Sequence, residues 1–150
     1  VCIVEVDQSG KIERTQVNTA LTFSDGIESS ILILAVEKRE CIKKLRQSGL
    51  SGANLYLKLF VAALFLLLKD YLDRLEVITI DIEYPGKETE IRVLLLDLIW
   101  KIDPVFSRER IVFRNIGKKS RAHLKGLAVY RGEEQPDRKV RARELLRLVK

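Results

Sequence analysis

VCIVEVDQSGKIERTQVNTALTFSDGIESSILILAVE, residues 1–37, reads as three strands in succession. Residues 1–7 alternate around Glu5 and Asp7, Gln8-Ser9-Gly10-Lys11 supplies turn chemistry, and residues 15–23 return. Ser24-Asp25-Gly26 turns the chain again, and residues 30–37 are rich in branched apolar side chains. An antiparallel meander is the expected result. From Lys38 the period lengthens: Cys41, Ile42 and Leu45 fit a short helix, which Gly49-Leu50-Ser51-Gly52 interrupts. A long helix is expected over residues 53–75, apolar on nearly every side, and therefore buried against a sheet.

Downstream, VITIDIE at residues 77–83 alternates as a fourth strand that Pro85-Gly86 ends. Ile91, Leu94, Leu95, Leu98 and Ile102 recur at helical spacing over residues 88–102, and Asp103-Pro104 stops the helix. Residues 110–116 read as a fifth strand, Ser120 as the cap of a helix reaching residue 130, residues 132–138 as a loop, and the remainder as a basic amphipathic helix. After the meander a helix must cross before the fourth strand, and right-handed crossovers favour parallel strands beside the first. An α/β fold with a mixed sheet is expected.

The chain has 150 residues, 47% of them apolar, enough for one core and one domain over residues 1–150. The greasiest run, LFVAALFLLL at residues 59–68, is far shorter than the ~20 residues a bilayer core requires, so no membrane partner is expected. The opening residues alternate, unlike the basic and then apolar pattern of a cleavable leader. Cys2 and Cys41 have no metal-type companion spacing, and a reducing cytoplasm is the default location. Charged residues at 32%, only 7 Asn or Gln and no Met lean toward a thermophile source. The net charge of +6 is unevenly placed: residues 1–117 carry −1 and residues 118–150 carry +7. Residues 132–150 read as a basic C-terminal extension, and so concentrated a positive field favours a polyanion such as nucleic acid.

Asp7 and Asp81 each end an otherwise apolar strand, where a carboxylate must be paired, solvated at a rim or bound to a cation. If the first and fourth strands are parallel neighbours, both emerge at the carboxyl ends, where α/β sheets place ligands. A divalent metal would relieve their repulsion, whereas a turn bond or a Lys or Arg partner would make them structural. Glu5 and Glu83, two residues away, share those faces as further ligands or supporting groups. His123, the only histidine, follows Lys118, Lys119 and Arg121 near the start of a helix, a setting that favours phosphate and lets a neutral imidazole complete a metal site.

Over residues 1–131, this order of elements, with an aspartate in Asp7-Gln8-Ser9-Gly10, another on strand four and a metal-ligand type on the helix after strand five, resembles the ribonuclease H-like superfamily. The resemblance implies a five-stranded mixed sheet in the order 3-2-1-4-5 with helices on both faces. It also implies a nuclease that hydrolyses phosphodiesters of DNA or RNA with two magnesium or manganese ions (Mg2+ or Mn2+). Asp7 and Asp81 match the two strand aspartates and His123 the final ligand, and this Asp-Asp-His set resembles the argonaute-type branch. Asp7 would bridge both ions, Asp81 would hold one, and His123 would complete the other or assist the leaving group. Lys118, Lys119 and Arg121 would grip the nucleic-acid backbone, and Arg138, Lys139, Arg141 and Arg143 would extend the track.

One departure concerns the first long helix, where many members have a glutamate: residues 50–69 hold no acid, only Asn54. The further ligand then comes from Glu83 or Glu5, or the site is incomplete. The alternative function is a non-catalytic nucleic-acid-binding or protein-interaction module with the same fold. A third expectation is an assembly such as a homodimer, with Val140, Leu145, Leu148 and Val149 packing on a neighbour.

Overall fold

A computed structural model describes residues 2–149; Val1, expected to open the first strand, lies outside them. β1 (Cys2–Ser9), β2 (Thr19–Ser24) and β3 (Ser29–Ile33) form an antiparallel meander. β1 runs two residues past Asp7 because Gln8 and Ser9 still pair with Leu21 and Ala20. β3 ends early, and residues 35–37, read above as strand, open α1 (Ala35–Gln47). The Ala35 N–H donates to Asn18 Oδ1 at 2.8 Å, so this helix start is satisfied from a distant loop, with no local capping residue to announce it.

α2 (Gly52–Leu68) stops short of the expected residue 75. Arg110 donates to the carbonyls of Leu72 (2.7 Å) and Leu75 (3.1 Å), holding a tight turn there, and Leu75 instead begins β4 (Leu75–Asp81). α3 (Glu88–Trp100), β5 (Ile111–Arg114) and α4 (Arg121–Tyr130) follow, then β6 (Arg138–Lys139) and α5 (Ala142–Val149).

The sheet has six strands, not five, in the order β5-β4-β1-β2-β3-β6. β4 is parallel to β1, β5 to β4 and β6 to β3, so β2 alone runs against the rest. The extra strand comes from the segment read as an extension: Arg138 pairs with Ile31 and Lys139 with Leu32. Two residues are too few to show a period, and their neighbours are turn formers, which is why the strand is invisible in sequence.

Alternation gives the two faces of the sheet different partners. Val4, Val6, Leu21, Phe23, Ile31, Ile33, Ile78 and Ile80 join α2 in the main core, together with Ile91, Leu95 and Ile99 of α3. Every α2 residue from Leu59 to Leu68 is buried, and each such Leu or Phe contributes roughly 1.5–3 kcal/mol. The opposite face meets α4. There Thr22 donates its hydroxyl to the Ala122 carbonyl at 2.7 Å, and a Cβ on Gly126 would lie 3.1 Å from Thr22 Oγ1 and 3.2 Å from Ser9 Oγ. Glycine at that position lets α4 lie close to the polar strands.

Val140 and Leu145 are buried in the main core, and Leu148 and Val149 pack on it. The apolar face expected to meet a neighbouring molecule therefore packs within the same chain, against α1 and α2. Glu37 of α1 accepts from the Ala142 N–H at 2.8 Å and lies 3.4 Å from Arg141, fastening the start of α5. Among the described residues no helix is long and apolar enough to cross a membrane.

Candidate metal centre

Parallel pairing of Glu5 with Thr79 and of Val6 with Ile80 puts Asp7 and Asp81 one step further along neighbouring strands, at their carboxyl ends. The chain leaves β4 past Ile82, whose N–H still reaches the Arg114 carbonyl at 3.3 Å, and brings Glu83 back to the same point. One carboxylate oxygen from each of Asp7, Asp81 and Glu83 lies within 4.8 Å of the others.

The surroundings of the three differ. Asp7 is 5% exposed and is held above the usual carboxylate range by burial, against which the His123 bond works. Asp81 Oδ1 accepts from the Ile116 N–H at 2.8 Å, which fixes the turn leading from β5 to α4. Glu83 is pushed up to about 8, chiefly by burial, then by sharing a proton with Asp81 and by the charges of Asp81 and Asp7. Its Oε2 is buried and has no hydrogen-bond partner among the described residues.

This donor set fits a hard divalent cation. Three carboxylates supply oxygen ligands of the kind Mg2+ and Mn2+ take, a cation would cancel their mutual repulsion, and Glu83 Oε2 is a buried acceptor in want of a partner. Among the described residues the ion pairs include Asp7 only with His123, and neither Asp81 nor Glu83 with any Lys or Arg. Asp7 also reaches beyond its own turn, since its Oδ2 is 2.9 Å from His123 Nδ1.

His123 itself is not one of the three clustered groups. With Nδ1 against Asp7, Nε2 is left to face a ligand, and the ring helps to orient Asp7. Ser120 caps α4 by accepting from the Ala122 N–H at 3.1 Å, and donates its hydroxyl to Glu5 Oε1 at 2.9 Å. Arg114 takes the other Glu5 oxygen at 3.3 Å. Glu5 is thereby engaged in holding the helix that carries His123, and the carboxylate that clusters with Asp7 and Asp81 is that of Glu83.

The basic residues fall into two groups. Lys118, Lys119 and Arg121 are exposed on the turn and first residue leading into α4, beside the acid cluster. Arg138 and Lys139 lie on β6, three strands from β1 and thus about 14 Å across the sheet. Arg138 is paired with Glu144 and Arg141 with Glu37, while Arg143 is exposed on α5, which packs with α1 and α2 away from the α4 face. The expected continuous basic track is therefore broken.

Lys38 is the residue the sequence reading missed. It is 1% exposed, and its ammonium donates to the carbonyls of Lys11 (3.2 Å) and Arg14 (2.7 Å) and to Thr19 Oγ1 (3.0 Å). Burial lowers its pKa to about 8. The effect is to fix the loop that follows Asp7. The signal was present, because Lys38 lies on one helical stripe with Cys41, Ile42 and Leu45. At the loop's start Gly10 has φ +73°, and a Cβ there would meet the Asn18 carbonyl oxygen at 2.1 Å, so only glycine fits.

Comparison with profiles of protein families, with curated proteins and with solved structures finds no match.

Proposed function

We propose that this chain is a divalent-metal-dependent nuclease of ribonuclease H-like architecture, hydrolysing phosphodiester bonds of DNA or RNA. The observation that carries the reading is the convergence of Asp7, Asp81 and Glu83 at the carboxyl ends of two parallel strands, with a buried, unpartnered oxygen on Glu83. The exposed turn with Lys118, Lys119 and Arg121 beside it is suited to phosphate oxygens.

Asp7, Asp81 and Glu83 would hold Mg2+ or Mn2+, which when bound supplies Lewis acidity toward a phosphoryl oxygen and lowers the pKa of water. Asp7 Oδ2 is held by His123, so the orientation of the carboxylate is fixed before any ligand arrives. His123, fixed through Nδ1, would donate a proton from Nε2 to the departing oxygen. Lys118, Lys119 and Arg121 hold the backbone without reading base sequence.

Manganese titration by calorimetry on the parent chain and on Asp7→Asn, Asp81→Asn and Glu83→Gln tests the site, followed by cleavage assays across duplexes, hybrids, single strands and branched DNA. Metal binding lost in the folded variants, together with cleavage lost in Asp7→Asn, is the expected result. An Asp7→Asn chain that cleaves every substrate as fast as the parent overturns it. The second reading, a binding module without catalysis, is favoured by the absence of any acid on α2. It predicts salt-dependent binding indifferent to metal and to Asp7.

A further inference from the structure

Beside the acid cluster the surface opens into a cleft of about 580 Å³ between the first turns of α2 and α3. Tyr56 and Leu57 of α2 and the ring of Tyr84 give it flat apolar walls, while Asn54, Glu13, Lys87 and Glu90 add polar groups. The cleft and the candidate centre are joined through the chain. Tyr84 follows Glu83 directly in the chain, Glu13 belongs to the loop that follows Asp7, and the Tyr84 hydroxyl donates to Glu13 at 3.1 Å. Lys11 bridges the two places, donating to the Glu83 carbonyl at 3.4 Å with its ammonium 5.9 Å from the Tyr84 ring.

The chemistry of the basic turn and of the cleft differs. At the turn stand the exposed cations Lys118, Lys119 and Arg121, which attract phosphate. In the cleft, Glu13, Asn54 and Glu90, the last paired with Lys87 at 3.4 Å, surround aromatic and aliphatic surface, an arrangement whose oxygen acceptors suit a flat ring bearing N–H and amino donors. Nucleobases are such rings, and a cleft of this volume is within the range that holds a small organic ligand. A base still stacked and paired in a duplex cannot enter it; one taken from the stack must first give up a few kcal/mol.

We propose that the cleft receives an unpaired nucleobase adjoining the phosphate held at the acid cluster, so that the chain prefers single-stranded or frayed nucleic acid to intact duplex. This rests on the nuclease reading above. Base stacking on aromatic side chains is worth about 1–3 kcal/mol per base, so the preference should be about tenfold to a hundredfold in affinity.

The test is equilibrium binding, with Ca2+ in place of Mn2+ to hold the phosphate while slowing cleavage, of a short oligonucleotide carrying one 2-aminopurine, as a single strand and as its duplex, in DNA and RNA forms. Expected are tighter binding of the single strand in at least one form, a change in 2-aminopurine emission, and loss of both in Ala53→Trp, which fills the cleft from an exposed helix position. Asn54→Ala, also at an exposed position, should weaken the preference without filling the cleft. Failure to bind the single strand, equal affinity for strand and duplex, or a preference untouched by both substitutions overturns the proposal. A single-strand preference lost in Ala53→Trp, with no cleavage when manganese is restored, keeps the cleft and removes the nuclease; cleavage that is indifferent to pairing and to Ala53→Trp does the reverse.

Discussion

Along β2, Leu21 and Phe23 enter the main core under α2, while Ala20 and Thr22 lie under α4, and the same division runs through β1 and β4. The α2 side is closed chiefly by apolar contact, with the buried Lys38–Thr19 hydrogen bond among the few polar links. The α4 side holds Asp7, Thr22 and Thr79 buried and Glu5 and Asp81 half-buried, joined to the helix by hydrogen bonds through Ser120, Ala122 and His123. One face therefore stabilises the chain, and the other keeps three carboxylates close together at a cost in stability that a ligand can offset.

The largest expected effect lies on the apolar side. Phe60→Ala should destabilise by about 3–5 kcal/mol in denaturant unfolding, since Phe60 is 1% exposed and packs edge-on against Tyr84 with ring centroids 5.0 Å apart. A loss below 1 kcal/mol would show that this side is not the main source of stability. Asp7→Asn should separate the two faces most clearly. Manganese affinity should drop by about a hundredfold, whereas the metal-free melting temperature should hold or rise, because a buried carboxylate is replaced by a neutral amide. A large fall in melting temperature would place Asp7 among the structural residues instead.

Next comes the pH dependence of the metal-free protein. Glu83 titrates at about 8 when folded, against an ordinary glutamate value of 4.5, so the unfolded chain gives up its proton first. Its favourable contribution is complete below 4.5 and is lost as pH rises toward 8, so melting temperature should fall through that window and Glu83→Gln should flatten the slope. An unchanged slope in Glu83→Gln would assign it to another group. The smallest effect is expected for Thr22→Val, which removes the bond to the Ala122 carbonyl and should cost about 1 kcal/mol. A cost near that of Phe60→Ala would erase the contrast between the faces.

The apolar side was legible because each of its residues announces itself by period: two along the strands, and continuous burial along α2. The strand-end aspartates were legible for a related reason, as charges closing apolar runs. Contacts between distant segments were not. Asn18 satisfying the start of α1, Arg110 ending the turn before β4 and Glu5 engaging Ser120 each join residues whose spacing carries no periodic signal. The short β6 and the break in the basic track follow from the same limit, since Arg138 and Arg141 read as free cations until Glu144 and Glu37 are found beside them.

The shortness of β5 and β6 also governs how this sheet meets other chains. Both outer strands are brief, four residues and two, and they end in Arg114 and Lys139, exposed cations that a second strand would have to approach. The longer and more apolar β1, β2 and β4 are all interior. Intermolecular strand addition, the usual route from a soluble sheet to a fibril or precipitate, therefore finds little backbone to template on. Cutting away residues 137–149 would uncover β3, with Ile31 and Ile33, and should turn a well-behaved protein into one prone to aggregation.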